Sequence, residues 1–205
     1  MKHNIRFNKE KDFNIYLDCA KRHFKTLGDK SYLSHGNRGV CFLLDINNVI
    51  KVTCDISEAV TAIKVMLNPN RYMPKYHDVI IDGDYAIIRM DKCEKLNDND
   101  HSLIHDFLES VLLFSKHKCV SELEVIKRKN IMFESFRQNT VIAELEEVVI
   151  ELSLRLGLNN FDLTADNVMR LHNNLVLIDQ HETYIDDSVM KSEVDFIDNY
   201  IKKHI

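Results

Sequence analysis

The sequence predicts an α+β chain of two lobes, a small antiparallel-sheet lobe followed by a reduced helical lobe. Three observations predict it. Short apolar runs punctuated by Gly, Asn and Asp crowd residues 28–91, apolar residues at helical spacing dominate from about residue 101 onward, and a short polar segment at 91–100 separates the two modes. At 205 residues the chain suffices for one sizeable core or for two small lobes sharing a cleft.

Phe13, Leu17, Ala20, Phe24 and Leu27 recur at steps of three and four, the face of a first helix that Gly28 is expected to stop as a C-cap. "SYLSHGNRGVCFLLDINNVIKVT" then reads as strand, loop and strand, with a second turn at Asp45 to Asn48. "DISEAVTAIKVML" is helical, with Asp55 or Ser57 as N-cap, and "NPNRYMP" ends it. "HDVII" and "YAIIRM" are strands joined by Asp82-Gly83-Asp84, which carries hairpin chemistry. Helices are expected at about 101–117, 121–136, 140–156 and 188–204, and Val141, Leu145, Val148, Val149 and Leu152 give the third a strong apolar stripe. Before the last of them, Val168 to Ile178 reads as a hairpin turning through His172-Asn173-Asn174. The lobes are placed at 1–92 and 93–205.

Composition narrows the function. The net charge is −5 with both signs interspersed, so no basic stripe is available to neutralise a phosphate backbone and nucleic acid is not expected as a partner. The five cysteines, at 19, 41, 54, 93 and 119, form no CxxC pair for zinc or redox exchange, which fits a reducing cytoplasm. No run of about 18 apolar residues and no signal-peptide pattern is present, so no membrane association is expected.

The polar residues around the late hairpin carry the chemistry. "NNFDLTADNVMRLHNNLVLID" brackets it with Asp162 and Asn167 before and Asp179 after, and antiparallel register puts Asn167 opposite or nearly opposite Asp179. An amide oxygen and a carboxylate at that separation suit magnesium, a hard cation that takes oxygen ligands. Asp162 lies on the preceding loop, within reach of the same space as a base. Upstream, Gly36 and Gly39 in "SHGNRGVCF" make a glycine turn, and Lys51 puts a charge inside the apolar strand "NVIKVT", where an ammonium is costly unless an anion is near.

Glycine loop, strand lysine, helix, two strands, polar boundary, helices, D-x-x-x-x-N, hairpin and Asp together resemble the protein-kinase-like fold, in order, from about Leu27 to His181. More narrowly, "FKTLG", "NNVIKV", "SEAVTAIKVM", "YHDVIIDGDYAIIRMDKCEKLN", "NFDLTADNVM" and "LIDQ" resemble the early serine/threonine protein kinases encoded by bacteriophages, which modify host proteins. The resemblance implies an ATP- and Mg2+-dependent (or Mn2+-dependent) phosphotransferase with a host protein as substrate. It implies Lys51 on the α/β-phosphates, Gly36, Asn37 and Gly39 over them, adenine at the hinge near Met90 to Lys92, Asp162 as catalytic base, and Asn167 and Asp179 on the metal.

Departures from the pattern are specific. Ser34 stands at the first glycine of the loop and Cys41 at its valine position. The H-R-D triplet is Asn160-Phe161-Asp162, the lysine two residues beyond the catalytic aspartate is Thr164, and D-F-G is Asp179-Gln180-His181. Only 26 residues follow Asp179, short of the usual substrate platform. Glu58 is either the acidic partner of Lys51 or a solvated first-turn acid that favours the helix dipole. These departures keep open two other functions, a pseudokinase that binds and inhibits a host factor, and a small-molecule kinase resembling aminoglycoside phosphotransferases, which also lack that lysine. His101 with His105, His117 with Cys119, and "KRKN" at 127–130 read as surface or packing residues.

Overall fold

Strands between Tyr32 and Asp91 carry apolar residues on both faces, which requires a cover on each side of the sheet they form. A computed structural model of the protein describes residues 9–116, 136, 138–156 and 163–178. Its main sheet comprises β1 (Tyr32–His35), β2 (Gly39–Leu43), β3 (Asn48–Thr53), β4 (Tyr76–Asp82) and β5 (Tyr85–Asp91), all antiparallel, in the order β1-β2-β3-β5-β4. Helix α1 (Lys9–His23) closes one face, where Tyr16, Leu17 and Ala20 join Val40, Phe42, Ile50, Val52 and Ile87 in one cluster. Helix α2 (Ile56–Leu67) closes the other, where Val60 and Ile63 join Val49, Val79, Ala86 and Ile88.

The α+β class is as expected. After β5 the chain forms β6 (Glu94–Lys95), α3 (Asp98–Lys116), α4 (Thr140–Leu156), β7 (Val168–Leu171) and β8 (Asn174–Leu177), with a second sheet ordered β6-β7-β8. The core around α2 continues through Ile104, Phe107, Ile142, Leu145, Val148, Leu152 and Leu175. A main-chain bond, Leu177 N–H to Tyr72 O at 2.9 Å, ties β8 to the segment after α2. No described helix is long and apolar enough to cross a membrane.

Several boundaries differ from expectation. α1 stops at His23, and Gly28 instead precedes a 3-10 turn, Asp29–Ser31, in an extended conformation that places no demand on glycine. α3 starts at Asp98, three residues early, because the Asn97 side chain accepts the Asp100 N–H at 2.9 Å. β6 occupies what reads as a polar boundary. The expected helices at 121–136, except Phe136, and 188–204 lie outside the described residues.

Candidate functional site

Strand alternation places Gly39, Cys41, Val49, Lys51, Ile88 and Met90 on the sheet face opposite α1. Lys51 is directly across from Cys41 on one side and Ile88 on the other. Its side chain is 7% exposed, and Nζ lies 2.6 Å from Glu58 Oε2, itself on a side chain 9% exposed. Glu58 is therefore a partner of Lys51 and not a solvated acid. Oε2 makes this ion contact but no hydrogen bond of good geometry. Around the pair, burial raises the pKa of Tyr76, helped by the Glu58 carboxylate, and raises that of Cys41, with the Lys51 ammonium opposing.

The approach of Gly39 to this cation needs glycine. A Cβ there would stand 2.8 Å from Val52 O and 3.2 Å from Lys51 Cε. The hairpin tip is closed by Gly36 N–H to Gly39 O at 2.9 Å, with Asn37 and Arg38 at the turn. Arg38 O accepts from Cys54 N–H at 3.0 Å and from the Thr53 hydroxyl at 3.3 Å, and the Arg38 guanidinium donates to Asp55 Oδ2. Asp55 is the N-cap of α2: its Oδ1 accepts from Ser57 N–H at 3.0 Å and from the Ser57 hydroxyl at 2.7 Å. Sequence reasoning foresaw Asp55 only as a cap. The signal for more is Arg38, a cation in the middle of a glycine turn.

At the end of β5, Met90 lies within the ladder, on the same face as Lys51, across from Val49 and Tyr76. Asp91 N–H donates to Lys75 O at 2.9 Å and Lys92 N–H to Asn47 O at 2.7 Å, so both of these donors are already engaged. The Cys93 thiol beyond them is pushed up to about 12 by burial and by the neighbouring Asp91 carboxylate.

Asn167 ends a 3-10 turn, Ala165–Asn167, at the mouth of the late hairpin, where its O accepts Ile178 N–H at 2.9 Å. The hairpin turns on two residues, His172 and Asn173, with φ of 49° and 69°, and not on three. Two left-handed residues match the right-handed twist of the strands. The resulting register pairs Val168 with Leu177, which brings Ile178 across from Asn167, one residue short of Asp179. Asp162, Asp179, Asn160, Phe161, Gln180 and His181 lie outside the described residues, as do His117, Cys119 and residues 127–130. Thr164 is exposed. His101 Nε2 is 3.1 Å from Asp166 Oδ1, His105 Nδ1 is 3.7 Å from Asp106 Oδ1, and no group of three metal-ligating side chains occurs among the described residues.

No protein-family model and no curated protein matches the chain. Among solved structures it is similar to the GDP and kanamycin complex of APH(2'')-IIIa, with 12% identity and a TM-score of 0.35 over 82% of this chain and 72% of that one. It is similar also to the GDP complex of a point mutant of the aminoglycoside 2'-phosphotransferase-IIIa, with 11% identity and a TM-score of 0.34 over 89% of this chain and 72% of that one.

Proposed function

We propose that the chain is a magnesium-dependent phosphotransferase of the protein-kinase-like fold that takes its phosphoryl group from ATP. The observation that carries this reading is the buried Lys51–Glu58 pair beneath Gly39, on a sheet ordered β1-β2-β3-β5-β4 with α2 between β3 and β4. Phosphoryl transfer is mostly a matter of positioning and charge stabilisation, and a cation fixed by a buried carboxylate answers both needs.

These residues fit a nucleotide. Lys51 offers a held ammonium to phosphate oxygens, and the main chain at Gly39 comes close to it because no Cβ stands there, while Gly36 and Asn37 would cover the phosphates from the hairpin tip. When bound, ATP supplies the transferable phosphoryl group and magnesium neutralises the charge that develops on it. Asn167 and Asp179 would hold the metal, and Asp162 would orient the acceptor hydroxyl and accept its proton. With the Lys92 N–H donated to Asn47, a nucleobase near Met90 to Lys92 would be held through main-chain groups other than that N–H.

A small-molecule hydroxyl is the acceptor that Thr164 favours, since that position is exposed and lacks the lysine of serine/threonine protein kinases. The protein serine/threonine acceptor is supported by the resemblance to phage-encoded kinases. Incubating the purified protein with labelled ATP and a cell lysate, then separating protein from small molecules, tests both. Label in the small-molecule fraction supports the first acceptor, and label on protein supports the second. No label in either fraction, together with no thermal stabilisation by millimolar MgATP, would sink the phosphotransferase and leave the binding-module alternative.

A further inference from the structure

We propose that Asp55 is a positioning residue for the nucleotide phosphates, joining the tip of the glycine hairpin to the helix that carries Glu58; this rests on the phosphotransferase reading. Asp55 is 7% exposed, and each of its carboxylate oxygens has a separate task. Oδ1 caps α2 by accepting from Ser57 N–H and from the Ser57 hydroxyl. Oδ2 accepts from the Arg38 guanidinium at the hairpin tip.

A ring of hydrogen bonds closes around this contact. Arg38 donates to Asp55, Asp55 N–H donates to Thr53 Oγ1 at 3.0 Å, and the Thr53 hydroxyl donates to Arg38 O at 3.3 Å. Arg38 O also accepts from Cys54 N–H at 3.0 Å and lies 3.4 Å from the Tyr16 hydroxyl of α1. The ring spans only Thr53 to Asp55 on one side and Arg38 on the other. Glu58 follows three residues later in the first turn of α2, and Gly39 follows Arg38 directly against Lys51 Cε.

Displacing the hairpin tip therefore pulls on the N-cap that sets the position of Glu58. Closure of the hairpin over phosphates and formation of the Lys51–Glu58 pair become one coupled event. Arg38 thus serves the hairpin from within, by holding it to the helix.

Asp55→Asn separates the two tasks, because asparagine caps a helix as well as aspartate does but offers no charge to Arg38. Its melting temperature should fall by only a few degrees, since the cap is kept and one charge-assisted hydrogen bond is lost. Its dissociation constant for MgATP should rise about tenfold, as expected if a tip no longer held by Asp55 is in place only about a tenth of the time. Arg38→Met should produce the same loss, and the double variant should be no worse than either single one. Without nucleotide, trypsin should cut Asp55→Asn after Arg38 about tenfold faster than wild type, since the ring that protects that bond is broken. Equal MgATP affinity in wild type and both variants would overturn the positioning role alone. Additive losses, or unchanged cleavage after Arg38, would overturn the coupling. A wild-type protein that binds no MgATP would overturn the phosphotransferase reading and the positioning role together, while the trypsin comparison still reports whether the ring pins the tip.

Discussion

Lys51 Nζ and Glu58 Oε2 lie 2.6 Å apart although their residues are seven positions apart on two different elements. Only Cys54 and Asp55 separate the end of β3 from the start of α2, so the first turn of the helix folds back over the strand. Lys51→Met would leave the Glu58 carboxylate buried and uncompensated, and should cost about 3–5 kcal/mol in urea unfolding. Lys51→Met with Glu58→Leu should recover most of that stability while binding no MgATP. A double variant as unstable as the single one would show that the pair is not the unit.

Gly39→Ala tests the close approach to the cation. The added methyl meets main-chain Val52 O at 2.8 Å, which cannot yield as a flexible side chain does. A loss of about 1–3 kcal/mol is expected, with weakened MgATP binding because Lys51 Cε is displaced as well. Calorimetry of the folded variant separates the two effects.

Asn167→Ala tests the metal assignment. The contribution of Asn167 to the fold includes main-chain bonds, N–H to Thr164 O at 3.0 Å and O from Ile178 N–H, and the substitution keeps both. Measured against its own ligand-free melting temperature, the variant should need severalfold more magnesium for half-maximal stabilisation by ATP. An unchanged magnesium dependence would remove Asn167 from the metal site.

Cys19 links stability to alkaline pH. It is buried at the α1–sheet interface, and burial, then the nearby Asp82 carboxylate, push its thiol up to about 11 from an ordinary value of 9.0. The folded state thus favours the neutral thiol, and the stability this contributes is complete below pH 9 and is lost as pH rises through about 11. Cys19→Ala should flatten the decline of melting temperature over that interval.

Much of this was legible because local pattern and local structure agree. The glycine turn, β3 with its lysine, α2 from an Asp55 cap, and α4 with its stripe all fall where spacing puts them. Gly28 misled because an apolar face continues past His23 through Phe24 and Leu27, which pack with α1 without extending its helix. β6 was illegible because a two-residue strand has no period of its own and exists only through Met169 and Arg170. The hairpin register depends on two left-handed residues whose side chains, His and Asn, do not announce φ as glycine would. Glu58 and Arg38 show a further limit. Whether an acid in a first turn faces water or a strand lysine depends on the crossing of two elements, which one-dimensional spacing does not contain.

On the phosphotransferase reading proposed above, the bond from Leu177 to Tyr72 bears on how MgATP would enter and leave. With β8 tied to the segment after α2 and one core running beneath, rotating the two halves apart would tear that main-chain bond and wet buried side chains together. A nucleotide site built on this frame would open at its rim and not at its spine. Ligand exchange should then follow the nanosecond-to-microsecond fluctuation of a loop, not the slower swing of whole lobes.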